Sequence, residues 1–121
     1  MRNATTMAAC AVALAGCATS EVDLSRQALP LDAEQWSQRI AQNYPSRALR
    51  EEQEGTVRVE VKISPIGRVT ACRVTASSGF PILDDAACRG AERYARFEPA
   101  LDRNGEPTEG NWFMSIVYAI D

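Results

Sequence analysis

Two stretches of the chain show the two-residue side-chain period of a strand. Residues 57–63 place four aliphatic side chains on one side and three charged side chains on the other. Residues 112–120 show the same period, with apolar side chains at Met114, Ile116, Tyr118 and Ile120. A period of two is typical of strands that bury one face. Both stretches are therefore predicted strands, and Ser115, Val117 and Ala119 are predicted to face away from the core.

A further strand is predicted over residues 68–77, because it follows the turn-forming run Pro65–Gly67 and is rich in β-branched residues. Its apolar side changes parity between Val69 and Cys72, which indicates a β-bulge near Thr70 and Ala71. Together with residues 57–63, this strand is predicted to form a hairpin.

Three helices are predicted around these strands. The first covers residues 32–43: Asp32 and Gln35 have capping-box spacing, and Tyr44 is driven out of helical geometry by Pro45. Pro45 then opens a short helix through Arg50. The third helix covers residues 82–94 and carries mostly small side chains on its apolar face, which predicts close packing on the sheet. Helices on one face of a hairpin and a late strand form an α+β arrangement.

The first 16 residues have the layout of a bacterial signal peptide. Arg2 supplies a positive charge, and residues 7–15 form an apolar run that is shorter than the about 20 residues needed to cross a bilayer as a helix. The run Leu14–Cys17 resembles a lipobox, the signal that places a lipid anchor on its cysteine. A plain signal peptide or a weak membrane anchor is the alternative.

The lipobox resemblance implies where the protein resides. We expect lipidation at Cys17 and a polar, flexible tether over residues 17–31, which show no apolar period. The domain would then lie on the periplasmic side of the cell envelope. Ala18, and not Asp, follows the cysteine, which favours the outer membrane over the inner membrane.

Cysteine usage agrees with an oxidising compartment. Cys10 lies within the signal and Cys17 would carry lipid, which leaves the pair Cys72 and Cys88. An even pair in such a compartment predicts a disulfide, and two buried free thiols are the alternative. Two cysteines in a chain without histidine do not complete a tetrahedral metal site, so we expect no bound metal.

Composition narrows the functional classes. The chain has no histidine, which excludes Ser-His-Asp and Cys-His pairs within it. Its net charge of −3 argues against general binding of nucleic acid. Asp84 and Asp85 could form a catalytic carboxylate pair, but they open a predicted helix, where its dipole favours anions. We therefore expect a protein that is not an enzyme and has no cofactor.

A series of short motifs resembles the C-terminal domain of TonB over roughly residues 44–121. The motifs are Tyr44-Pro45, Glu54–Val57, Gly67–Val69, Ser77–Gly79, Leu83-Asp84 with Ala86-Ala87, and Arg96–Ala100. The family domain is a three-stranded antiparallel sheet with two helices, so the resemblance implies that fold, here with an extra N-terminal helix. The pair Cys72 and Cys88 resembles a subset of these domains that carry a strand-to-helix disulfide.

The resemblance also implies a function and a site. The family domain grasps a short extended segment of outer-membrane transporters, the TonB box, beside its last strand, which here is Trp112–Ile120. The segment just before Tyr44-Pro45 also contacts the receptor in the family. The implied partner-binding residues are Gln42, Asn43, Tyr44, Phe113, Ser115, Val117 and Ala119.

The chain departs from a full TonB in ways that bear on its role. A full TonB has a transmembrane motor helix that contains a histidine, and a long proline-rich spacer; this sequence shows none of these features. We therefore expect an envelope protein-binding module linked to TonB-dependent transmembrane transport, without its own motor helix. The alternatives are a TolA-like structural lipoprotein without TonB-box affinity, and a homodimer paired through the final edge strand.

Overall fold

A computed structural model describes residues 22–120, so the predicted signal peptide and Cys17 lie outside the described residues. The helices are α1 (Ala33–Gln42), α2 (Ser46–Arg50) and α3 (Pro81–Tyr94). The strands are β1 (Leu29–Pro30), β2 (Gly55–Ile63), β3 (Val69–Ala76), β4 (Phe97–Glu98), β5 (Ala100–Leu101), β6 (Pro107–Thr108) and β7 (Gly110–Tyr118). Among these helices there is no span long and apolar enough to cross a membrane.

The main sheet has three antiparallel strands in the order β3-β2-β7, which confirms the α+β fold with a three-stranded sheet. The four predicted inward side chains of β2 are completely buried: Val57, Val59, Val61 and Ile63. β3 contains the predicted bulge, because Lys62 pairs with Ala71 and Ile63 with Val69, leaving Thr70 as the extra residue. A second bulge, at Thr75, was not predicted.

All three helices were predicted, and the two long ones cover one face of the sheet. α3 packs on β3 and β2, and α1 packs beside α3 and against β7. The contact between the helices is close: a Cβ atom at Gly90 would lie 2.8 Å from Cγ2 of Ile40. Gly90 therefore lets α1 pack close to α3, a contact that the sequence did not predict; the predicted packing of α3 on the sheet is present as well.

Aromatic side chains fill the two ends of the core. Phe97 packs between Trp36 and Trp112, with ring centroids 5.7 and 6.1 Å away. At the other end, Tyr44 meets Tyr118 edge-on, with centroids 5.3 Å apart.

The segment before α1 differs from the expected flexible tether. We call residues 22–31 the strap, and it lies along the domain. The N–H of Leu24 donates to the carbonyl of Arg103 at 3.1 Å, Arg26 and Leu101 exchange two backbone hydrogen bonds, and β1 pairs with β4. Ala28 is 1% exposed. Backbone pairing holds the strap, and such pairing leaves no side-chain period for the sequence to reveal.

The start of α1 also differs from its prediction. Asp32 does not cap the helix with its side chain; its backbone adopts the left-handed conformation at φ 55°. Its carbonyl instead accepts the N–H groups of Gln35 and Trp36, and the indole N–H of Trp36 donates to the carbonyl of Leu31 at 2.7 Å. The capping-box prediction is therefore wrong, while the predicted helix is present.

The segment between β5 and β6 forms an ordered turn. β5 and β6 pair on either side of a turn, and the carboxylate of Asp102 accepts the N–H groups of Asn104 and Glu106. The side chain of Asp102 thus replaces the missing backbone partners of the turn.

A disulfide joins Cys72 of β3 to Cys88 of α3, with Cα atoms 5.5 Å apart. It fastens the helix to the edge of the sheet, which is the pairing that the sequence predicted.

Candidate functional site

The free edge of β7 is the main feature of the candidate site. β7 pairs with β2 along nine consecutive residues without a register shift. In the part of the chain that the structure describes, no strand pairs with its other side. Alternate N–H and C=O groups of an edge strand point away from the sheet and can receive another extended chain.

The opposite edge of the sheet is less suited to pairing. β3 carries two bulges, at Thr70 and Thr75, and the disulfide at Cys72 ties it to α3. Bulges twist a strand and interrupt the regular spacing of its outward groups. The sheet therefore presents one regular free edge, that of β7.

The predicted contact residues of β7 lie on the sheet face that the helices leave open. Phe113 is 66% exposed and Val117 is 57% exposed, with Ser115 exposed between them. Ala119 is exposed one residue beyond the end of the strand. These side chains alternate with Trp112, Met114, Ile116 and Tyr118, which face the helices, as the period predicted.

The other predicted contact residues lie on the helix side. Gln42 is exposed at the end of α1, and the amide of Asn43 donates to the hydroxyl of Tyr94 at 3.1 Å. Tyr44 is half-buried and donates its hydroxyl to the carbonyl of Gln53. The two predicted sets thus lie on opposite faces of the sheet, and the β7 edge runs between them.

Two grooves adjoin β7, one toward each end of the strand. One, of about 270 Å³, lies between Ser37, Gln38 and Ala41 of α1 and residues 115–117. The other, of about 480 Å³, is lined by Gln27, Ala28, Ala100 and residues 110–113. The sequence did not indicate Gln27, Ala28, Ser37 or Gln38, because the strap shows no period and the two α1 residues belong to a polar helix face.

Charges on the open face beside β7 are partly compensated. Glu60 accepts hydrogen bonds from the side chains of Arg73 and Asn111. Arg58 and Lys62 take part in no ion pair within residues 22–120. The open face is therefore mildly cationic along the strand next to β7.

The tyrosines beneath the site do not supply acid–base chemistry at neutral pH. Burial, and to a smaller extent the neighbouring Tyr44, raises the pKa of Tyr118 to about 12. Burial, followed by the charge of Glu54, raises the pKa of Tyr44. Both hydroxyls stay protonated, so the arrangement offers hydrogen bonding and packing.

No group of three or more His, Cys, Asp or Glu side chains that could hold a metal ion occurs within residues 22–120. The geometry of this part of the chain favours recognition of a polypeptide, through backbone groups flanked by apolar grooves.

Known proteins match part of this chain. Three proteins named Protein TonB, from Neisseria meningitidis serogroups C, A and B, are each 39% identical to it over 49 residues. That match covers 40% of this chain and 18% of each relative, so the chain corresponds to less than a fifth of their length.

The fold has a solved counterpart. The NMR solution structure of the Helicobacter pylori TonB C-terminal domain is similar at a TM-score of 0.50 with 23% identity, covering 73% of this chain and 80% of that one. The family model described as Gram-negative bacterial TonB protein C-terminal matches residues 40–120, well over half of the chain. On that match and on its three-stranded sheet, the chain belongs to the TonB C-terminal domain family.

Proposed function

We propose that this domain binds extended segments of outer-membrane transporters or other envelope proteins by pairing them with the free edge of β7. The observation that carries the proposal is the nine-residue edge, which has an unbroken register and no neighbouring strand within residues 22–120. The membership of the family, which is associated with TonB-dependent transport, supports the same function.

The proposed binding mode is β-augmentation, in which main-chain hydrogen bonds supply affinity and alternate side-chain pockets supply specificity. Side chains of the bound segment that face the helices would enter the grooves beside Ala41 and Ala28. Those on the other side would contact Phe113, Ser115 and Val117. Gln42, Asn43 and Tyr44 would border the far end of the segment, and Ala119 its continuation.

We further propose that the domain acts without its own motor helix, held at the membrane by lipid on Cys17 and lying on the periplasmic side of the envelope. The support is the signal layout and the lipobox-like run at Leu14–Cys17. The proposed location is the outer membrane, because Ala18, and not Asp, follows the cysteine. In this role the protein is a binding module and not an enzyme.

An NMR titration of residues 18–121 with TonB-box peptides from the same organism tests the binding mode. We expect backbone amide shifts concentrated in residues 110–118 and near Gln42–Tyr44, with residues 69–76 of β3 as the internal control. The same peptide with proline substituted at alternate positions lacks those backbone donors and should not shift β7.

The titration can also reject the proposal. No shifts up to millimolar peptide would mean that β7 does not receive these segments. Shifts confined to β3 would place binding at the other edge, despite its bulges.

A second candidate function rests on the exposed apolar side chains of the open face at β7, Phe113 and Val117. Two copies could pair through this strand and form a homodimeric, TolA-like scaffold of the envelope without TonB-box affinity. Sedimentation of a stable dimer that Phe113→Lys dissociates, together with no peptide shifts, would favour this function over the first.

A further inference from the structure

A second surface lies at the end of the domain where β2 turns into β3. Three short segments run side by side there: residues 66–68, 96–98 and 29–31. Arg68 bridges to Arg96, the N–H of Phe97 donates to the carbonyl of Gly67, and Pro30 pairs with Phe97. We call the outward side chains of these segments the terminal patch.

The inward side of these segments is part of the core, and the outward side is apolar. Phe97 is 3% exposed, whereas Ile66 is 80%, Leu29 42% and Leu31 40% exposed. Three exposed aliphatic side chains at one end of a small domain indicate contact with something apolar.

The charges of the terminal patch are positive on balance. Arg68 and Arg96 form no ion pair within residues 22–120, and Arg26 is neutralised by Glu98 at 3.4 Å. At the margin, one carboxylate, Asp32, and two arginines, Arg39 and Arg96, line the same pocket, which leaves its charge positive on balance. Aliphatic side chains among unpaired arginines are the composition of surfaces that lie on anionic lipid headgroups.

The path of the strap also indicates a lipid surface as the partner of the terminal patch. Within residues 22–120, the strap is first fastened to the domain at Leu24, whose N–H donates to the carbonyl of Arg103. Six residues lie between Cys17 and Leu24, and this stretch spans at most about 25 Å when extended. A lipid at Cys17 would therefore hold the domain against the bilayer, where even weak contacts are strengthened by the high local concentration.

We propose that the terminal patch docks on the anionic surface of the membrane that carries the protein, which rests on the proposed lipid anchor. Gly110 of β7 pairs with Ile63 at this end of the sheet, and Tyr118 pairs with Gly55 at the other end. Docking would therefore stand the free edge of β7 upright on the membrane, open to segments that extend from it.

The test uses residues 18–121 without lipid, since every core residue lies between Ala28 and Tyr118. Co-sedimentation is measured with vesicles of phosphatidylethanolamine and phosphatidylglycerol at 3:1, and with pure phosphatidylcholine. We expect weak binding to the anionic vesicles that falls with added salt. The double variant Leu31→Asn and Ile66→Asn should bind at least fivefold less, and Arg68→Gln should reduce binding and its salt dependence.

A matched control is available at the far end of the sheet. Leu49 is 48% exposed on α2, beside the start of β2; Leu49→Asn should leave vesicle binding unchanged, in contrast to Ile66→Asn. Thermal unfolding of all variants checks that the fold is kept. Equal weakening by patch and control variants would overturn the proposal. So would the absence of binding by the parent chain up to about 5 mM lipid, roughly fifty times the ~0.1 mM dissociation constant of a single myristoyl chain.

One further result would assign the patch to another occupant and also overturn the proposal. Self-association that Ile66→Asn abolishes, without vesicle binding, would make the patch a contact between copies. Because no lipid anchor is present in the assay, a negative result leaves lipidation at Cys17 and peptide binding at β7 to their own tests.

Discussion

Tyr118 is the largest fully buried side chain, and its hydroxyl has no hydrogen-bond partner within residues 22–120. A buried polar group without a partner opposes folding, so removing it is neutral or stabilising. We expect Tyr118→Phe to leave the free energy of unfolding unchanged or to raise it by up to about 1 kcal/mol. Urea denaturation at pH 7 measures the change.

Tyr44 provides the matched control for that substitution. Its hydroxyl donates to the carbonyl of Gln53, so Tyr44→Phe removes a made hydrogen bond and should cost about 1 kcal/mol. If Tyr118→Phe costs as much as Tyr44→Phe, the Tyr118 hydroxyl has a partner after all.

Because Tyr118 is buried, its ionisation also makes the stability of the fold depend on pH in the alkaline range. Its pKa is raised to about 12, above the value of about 10 for an unfolded chain. The folded state holds the phenolic proton more tightly than the unfolded chain does. Relative to the ionised side chain, protonated Tyr118 therefore favours the folded state fully below pH 10, and this contribution is lost as the pH rises through 12. Melting temperatures between pH 9 and pH 12 should fall less steeply in Tyr118→Phe than in the parent chain. Parallel curves would contradict the assigned pKa.

Asp84 shows the opposite dependence on pH. Partial burial raises the pKa of its carboxyl, but hydrogen bonds from Ser77 Oγ and from the N–H and Oγ of Ser78 lower it more, so the pKa lies below its usual value. The carboxylate therefore stabilises the fold above about pH 4, and this contribution is lost as the pH falls through the lowered pKa.

We expect Asp84→Asn to cost about 1 to 2 kcal/mol at pH 7, because hydrogen bonds to a charged acceptor are lost. The difference from the parent chain should shrink at pH 3, as followed by urea denaturation at both values. Asp85→Asn is the control: its carboxylate pairs only with exposed Arg89, so it should change stability by less than about 0.5 kcal/mol. Equal effects of the two substitutions would contradict the role of Asp84 as the acceptor for Ser77 and Ser78.

At the scale of elements, the sequence predicted what side-chain periodicity controls. β2 and β7 alternate because each buries one face, and the shift of parity in β3 located the bulge at Thr70. The bulge at Thr75 escaped prediction, since it falls where both neighbours are already half-exposed or exposed. The strap escaped because backbone pairing holds it, and two of the residues lining the groove at the start of β7 belong to it.

The packing of α1 on α3 is an element-scale contact that can be tested directly. A side chain at Gly90 would collide with Ile40, which is 1% exposed and cannot move aside. We expect Gly90→Val to cost about 2 kcal/mol through overpacking. Ile40→Ala alone should cost about 2 to 4 kcal/mol through the cavity that it leaves.

The double variant decides whether the two effects have one origin. The added valine would fill part of the space left by Ile40, so the combined loss should be smaller than the sum by at least about 1 kcal/mol. Urea denaturation of the four proteins gives this coupling. Simple additivity would mean that α1 does not approach α3 at Gly90.

At the scale of the whole molecule, the surfaces lie on different parts of one rigid sheet. The terminal patch occupies the end at Ile63 and Gly110, and the edge of β7 leads away from it to Tyr118. A short chain between Cys17 and Leu24 would set the distance of the binding edge from the membrane, which a long proline-rich spacer would leave free. Anchoring and recognition would thus be coupled through the strap.

This coupling requires lipid at Cys17, and substitution of the cysteine tests for it. In the full chain, Cys17→Ser removes the acceptor thiol, so we expect an unprocessed precursor or a soluble form in place of a processed, membrane-bound protein. Fractionation of the envelope and mass spectrometry of the mature N-terminus measure both changes. Cys10→Ser is the matched control, because Cys10 lies within the predicted signal and should leave processing intact. Unchanged membrane fractionation and an unmodified Cys17 would mean that contacts of the folded domain, and not a lipid, hold it at the membrane.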